Sequence, residues 1–273
     1  MVWRGFALVV ALTWGAGVVQ ACPPAGWDRA RLEALKAASF EIAVVAERER
    51  FAESIVACVA SADPFLRDGV AFEALSHMLR KDQLSDAAKI GIARDLLRRL
   101  ASREPGGFEA PFAALVLAEI VRADRARAYL SGDLRAAIGE GAVTFLAGVR
   151  DYRGFDEREG WRHGVAHGAD LLMQIARNPN YADRAYLARL RDAVAAQVAP
   201  AGHFYIYGEP ERLMYPLVFL AQRKVFAAAE WDAWFVHLSG ETNSWADTFA
   251  SQRGLARRHN TRAFLYAVWL NAK

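Results

Sequence analysis

The stretch Asp151-Tyr-Arg-Gly-Phe-Asp-Glu-Arg-Glu-Gly-Trp-Arg-His-Gly-Val-Ala-His-Gly-Ala-Asp-Leu-Leu172 sets both the fold class and the place to look for a site. Side chains three and four apart share one face of a helix. Glu159, His163, His167 and Asp170 therefore form one polar stripe, while Val165, Ala166, Ala169, Leu172 and Met173 cover much of the remaining surface. Buried imidazole and carboxylate groups are costly when unsatisfied, so such a stripe on an otherwise apolar helix needs partners.

The same three-and-four spacing runs outward in both directions from Asp28 onward, and strand-like alternation is nearly absent. It predicts helices over 28–38, 40–61, 64–81, 86–103, 109–128, 132–150, 157–177, 182–198, 209–227, 230–239 and 257–271. Asp63-Pro64, Ser85-Asp86, Ser131-Gly-Asp133 and Glu209-Pro210 carry helix-start signals, and Pro216 lies inside a helix it should kink. Loops fall at 103–107, 178–180 and 200–202. Helix pairs whose first members begin near 64, 109, 157 and 209 recur at HEAT/armadillo-like spacing. The expectation is an all-α fold of stacked antiparallel helix pairs forming a HEAT/armadillo-like superhelix, with an α/α toroid as the alternative. Arg67-Asp-Gly-Val-Ala-Phe72 also lays onto Arg162-His-Gly-Val-Ala-His167, making Asp68 and Phe72 the counterparts of His163 and His167.

The 273 residues are 54% hydrophobic and 24% charged, the composition of an ordered globular protein. No Pro/Gly/Ser-rich linker divides the chain, so a single helical domain over 22–273 is expected. The net charge is only +3, and basic residues interleave with acidic ones, which argues against a nucleic-acid surface. Residues 1–21 differ: Arg4 precedes an uncharged run from Gly5 to Ala21 that ends in Val19-Gln20-Ala21, the pattern of a cleaved signal peptide. This predicts an exported protein, periplasmic or secreted. Cys22 is then either a lipidated first residue, giving a membrane anchor, or the partner of Cys58 in one disulfide.

His163 and His167, at i and i+4, can reach one divalent metal, with Asp170 as a third ligand one turn on. A zinc-protease helix would carry glutamate after the first histidine, where this chain has Gly164. Without metal, both histidines are core groups oriented by Asp170, or acid–base and ligand-binding groups. Arg153 can grip a carboxylate or phosphate, or pair with Asp151, Asp156 or Asp170. Trp161 can stack on a flat ligand or join the core. In 203–213, Glu209, Glu211 and Arg212 precede an apolar helix, where acidic groups suit the helix N-terminus. Serine-hydrolase, P-loop and dinucleotide fingerprints are missing from the sequence.

Asp63-Pro-Phe-Leu-Arg-Asp68, Arg153-Gly154, Gly160-Trp-Arg-His-Gly-Val-Ala-His-Gly-Ala-Asp-Leu-Leu172 and Glu209-Pro-Glu-Arg-Leu213 together resemble the bacterial proteins grouped as domain of unknown function 2785. Pro210 departs from the acidic residue usual in that family. The resemblance implies an all-helical, repeat-like fold and carries no activity with it.

These readings place a ligand site at Asp68, Asp151, Arg153, Trp161, His163, His167, Glu209 and Arg212, on the surface shared by the helices containing Asp68, His163, His167 and Glu211, with Asp151 and Arg153 in the loop before the third of the four pairs. The leading expectation is a binding or scaffold protein of the bacterial cell envelope that recognises a peptide, glycan or protein. The alternative is a hydrolase using His163 or His167 as metal ligand or general base.

Overall fold

The computed structural model describes residues 21–240 and 245–271, so the expected signal peptide lies outside the described residues except for Ala21. Eleven α-helices are present among the described residues: α1 (Arg29–Ala37), α2 (Val45–Ile55), α3 (Glu73–Arg80), α4 (Asp86–Leu100), α5 (Glu109–Ala126), α6 (Gly132–Gly148), α7 (Gly164–Arg177), α8 (Arg184–Val198), α9 (Glu209–Gln222), α10 (Ala228–Ser239) and α11 (Gln252–Asn271). A 3-10 turn over Val56–Ala60 follows α2, and a π-helical segment over Phe65–Phe72 runs into α3. The only strands described are β1 (Phe155–Asp156) and β2 (Gly160–Trp161), paired antiparallel. The all-α expectation holds.

The helix starts follow from local chemistry. Asp28 accepts from Arg31 N at 2.8 Å, Ser85 from Ala88 N at 3.2 Å, and Ser131 from Leu134 N at 3.3 Å. Each satisfies an N–H that has no partner within its helix. Asp63 Oδ1 takes Phe65 N at 2.9 Å, so the Asp63-Pro64 signal also opens a helical segment, though a π-helical one.

The helices lie in two rows. α3 packs on α5, α5 on α7, α7 on α9 and α9 on α11, while α4 packs on α6 and α6 on α8. Contacts of α4 with α5, α6 with α7 and α8 with α9 join the rows. The elements that begin at 65, 109, 164 and 209 thus lie in one row. Phe112 and Leu117 of α5, Leu171 and Ile175 of α7, and Leu213 and Leu220 of α9 are fully buried between them. Each such side chain contributes about 2 kcal/mol of transfer free energy, which fixes the relative setting of α5, α7 and α9.

Several sequence boundaries are corrected: the helix expected over 209–227 ends at Gln222, and the one expected over 257–271 begins at Gln252. The expected helix over 40–61 begins only at Val45, because Ser39 and Phe40 take left-handed conformations (φ 54° and 59°). More consequential is the expected helix over 157–177, which begins at Gly164. Asp156 Oδ1 accepts from Arg158 N at 2.8 Å and Glu159 N at 2.9 Å, and Gly160 sits at φ +70°; together they turn the chain into a hairpin. Glu159 is therefore off the polar stripe.

Cys22 and Cys58 form a disulfide with Cα atoms 5.2 Å apart, tying the segment before α1 to the 3-10 turn. A sulfur held in that bond is not free to carry a lipid thioether. No described helix is long and apolar enough to cross a membrane.

Candidate functional site

The hairpin delivers His163 to the start of α7 in a left-handed conformation, φ 55° and ψ 40°. Its backbone N–H donates to Arg153 O at 3.1 Å, and Arg162 N donates to Gly154 O at 3.0 Å, so the two segments are zipped together before the helix begins. Trp161 stacks on the His163 imidazole at 4.7 Å and 21°, and Tyr207 meets the edge of both rings. Tyr207 needs the space over Gly154: a Cβ built there would lie 2.0 Å from its ring. Trp161 is a partner of the histidine, half-buried, with exposed Phe155 and Tyr207 beside it.

Glu209, first residue of α9, comes to His163 from the other side. Its Oε1 is 3.7 Å from His163 Nε2, and its Oε2 accepts from Tyr207 N at 3.0 Å. The distance is that of an ion pair by proximity, but His163 Nε2 makes no hydrogen bond. The imidazole is the neutral partner at neutral pH, because burial, reinforced by the Arg212 charge, pulls His163 down to about 4. Burial pushes the Glu209 carboxyl up.

One turn along α7, His167 is buried, its ring edge-on to Phe112 at 5.0 Å and to His163 at 5.7 Å. Burial first, then the neighbouring His163 and Arg212, holds it well below the usual imidazole range. Its Nδ1 has no hydrogen-bond partner. Asp170, on the same face, accepts from Arg212 Nη1, yet burial outweighs the arginine and raises its carboxyl. His167, Asp170 and Arg212 line a cavity of about 340 Å³ with Phe72, Arg80 and Glu119. Arg80 holds Glu119 through two donors, one at 2.9 Å. Arg212 is half exposed, lines this cavity and engages Asp170 through one amine.

Behind this cluster, Arg67 and Arg162 each lie 4.2 Å from the centre of the Phe108 ring. They are the two arginines matched by the sequence echo, and Phe72 and His167, also matched, line the same cavity. Arg67 is fully buried and donates to Ser61 O at 2.8 Å and to Glu159 O at 2.5 Å. Asp68 sits 2.7 Å from Arg67 Nη2, and burial raises its carboxyl. Asp68 thus belongs to the frame that fixes the hairpin and does not line the cavity.

Asp151 and Arg153 pair with each other, Arg153 Nε reaching Asp151 Oδ1 at 2.8 Å, with a further Arg153 donor on Gly106 O at 3.2 Å. Of the partners the sequence offers Arg153, the one it takes is Asp151, in a pair that is about half exposed. The expected metal ligands His163, His167 and Asp170 are not assembled: Asp170 is turned to Arg212, and no three His, Cys, Asp or Glu side chains among the described residues are grouped to hold a metal ion.

The sequence alone did not single out Arg80, Glu119, Tyr207 or Gly154. Arg80 and Glu119 stand on separate helices, α3 and α5, and only packing brings them together. Gly154 lay within the Arg153-Gly154 pair already noted, but its reason, the Tyr207 ring, is more than fifty residues away.

A family described as "Protein of unknown function (DUF2785)" matches residues 96–270, more than half of the chain and the whole of α5 to α9. The chain belongs to this family. The DUF2785 match takes in Arg153, Trp161, His163, His167, Asp170, Glu209 and Arg212, whereas the Asp63–Asp68 motif lies before its first residue. No curated protein and no solved structure matches the chain.

Proposed function

We propose that this protein is an exported binding protein of the cell envelope that takes a small ligand, or one end of a larger peptide or glycan, into the cavity between α3, α5, α7 and α9. The observation that carries the reading is the cavity itself. It is about 340 Å³ and joins the buried His167 and Asp170 to the half-exposed Arg212. A concave site with few convergent polar groups and titrating residues displaced by burial is the usual form of a ligand site. Export rests on the apolar segment ending at Ala21 and on the Cys22–Cys58 bridge, a bond that persists in oxidising compartments. The two-row packing suits a helical repeat, and a HEAT/armadillo-like superhelix is the arrangement we favour.

A hydrolase is the second reading, favoured by the approach of His163 to Glu209. It is weaker because an imidazole pulled down to about 4 is a poor base at neutral pH.

Thermal-shift screening of short peptides and oligosaccharides tests the binding reading. A stabilising compound should lose its effect in Ala118→Leu, which fills the cavity wall, and in Arg212→Gln. A panel without any stabiliser, or shifts that survive both changes, would remove the cavity from the account. Turnover of a stabilising compound would put the hydrolase first.

A further inference from the structure

At the far end of the row, α11 buries Gly254, Ala256, Asn260, Thr261, Phe264 and Ala267 and packs on α9. Its opposite face is Leu255, Arg258, Arg262, Leu265, Tyr266 and Trp269. Trp269 is 61% exposed, and Phe249, just before the helix, is 78% exposed. The helix carries Arg253, Arg257, Arg258 and Arg262 and has no Asp or Glu. Arg257 lies 3.5 Å from Asp247, but no described carboxylate pairs with Arg253, Arg258 or Arg262. Instead Arg258 lies over the Phe249 ring and Arg262 over that of Tyr266, whose hydroxyl it also reaches at 2.7 Å.

We propose that this face of α11 docks the protein on an anionic lipid surface. The charge on the face selects its occupant. A second copy related by a two-fold axis would set Arg258 and Arg262 of the two copies against one another, which like-charge repulsion disfavours. An anionic bilayer supplies the missing negative charge to Arg258 and Arg262 and an apolar boundary for Leu265, Trp269 and Leu270. Tyrosine and tryptophan are the side chains that settle at that boundary, with ring in the apolar layer and polar edge at the headgroups. The guanidinium-over-aromatic pairs hold both kinds of contact on one side of the helix. This surface is separate from the cavity and independent of the binding function proposed above.

Co-sedimentation with large unilamellar vesicles tests the assignment, using the chain from Cys22 onward so that the apolar segment before it takes no part. Binding is expected to vesicles of phosphatidylcholine with phosphatidylglycerol, and to weaken with salt and with phosphatidylcholine alone. Arg258→Gln with Arg262→Gln should lower the partition coefficient by about tenfold or more, because each basic residue near an anionic surface adds roughly fivefold. Leu265→Ser with Trp269→Ser should lower it independently, and all four positions are exposed or half-exposed, so circular dichroism should show unchanged folding. Failure to bind anionic vesicles would overturn the proposal, as would binding that both variants retain. A concentration-dependent dimer lost in the same variants would assign the face to a second copy instead.

Discussion

His163 Nε2 stands 3.7 Å from Glu209 Oε1, across the junction where the first residue of α9 meets the residue that opens α7. Neither group has a strong partner for its charge, and burial drives both toward their neutral forms. The contact is therefore a close approach of two desolvated groups whose ionisation is opposed by their surroundings. It is an arrangement that acid should disturb.

Between pH 6.5 and about 4, an unfolded His163 binds a proton that the folded one does not. Its contribution to stability is complete above pH 6.5 and is lost as pH falls toward 4, up to roughly 3 kcal/mol for a shift of that size. Glu209 and Asp170 act in the opposite sense. Their carboxyls are raised, so the stability they supply is present in acid and lost as pH rises through the raised values. Replacing His163 with Gln removes only the first effect. Urea unfolding across this range should show wild-type stability falling with acid more steeply than that of the variant. Equal slopes would place the acid sensitivity elsewhere.

Gly154 to Ala is expected to destabilise the hairpin by about 1–3 kcal/mol, the usual cost of overpacking. The new methyl would meet the Tyr207 ring at 2.0 Å, and that ring also packs on Trp161 and His163. Combining it with Tyr207→Ala should recover much of the loss. A double variant no better than the sum of the two single changes would show that backbone conformation, and not the ring, requires glycine.

The helices were legible because their apolar spacing and caps are local signals, and Ser85 and Ser131 do cap as their positions suggest. The start of α7 was not, because the sequence 157–163 has helical spacing while the turn is decided by Asp156 side-chain bonds and the left-handed Gly160 and His163. For the site, the i, i+4 spacing of His163 and His167 correctly put them on one face. It could not reveal that Asp170 turns to Arg212, forty-two residues away, whereas Asp151, two residues from Arg153, was legible as its partner. The pairing of Asp170 with Arg212 depends on which charges the fold brings together after packing.

Arg67 holds three carbonyl oxygens, those of Ser61, Ala62 and Glu159, from a fully buried position. Arg67→Met keeps the apolar bulk beside Phe108 and Phe112 but strands those acceptors and leaves Asp68 without its cation. The expected loss is about 3–5 kcal/mol, as for a broken buried ion pair. The hairpin should be affected first, since the Glu159 carbonyl lies in its turn. Hydrogen exchange at residues 155–162 reads this directly, and protection unchanged in the variant would separate the arginine from the hairpin.

Arg212 and Asp170 supply the remaining test, because one is half exposed and the other is buried. Solvent screening on the arginine side limits the strength of the pair, so its coupling should be about 1–2 kcal/mol, well short of a fully buried bridge. Arg212→Gln alone leaves a buried carboxyl that already resists ionisation, and Asp170 should then take up a proton at still higher pH. Asp170→Asn alone leaves an exposed guanidinium that water can serve, which costs less. A double-mutant cycle should therefore show unequal single losses, with Arg212→Gln the larger above the Asp170 pKa and shrinking as acid protonates the carboxyl. Equal losses at all pH values would mean that Asp170 is held neutral by other neighbours, leaving Arg212 wholly available to the cavity.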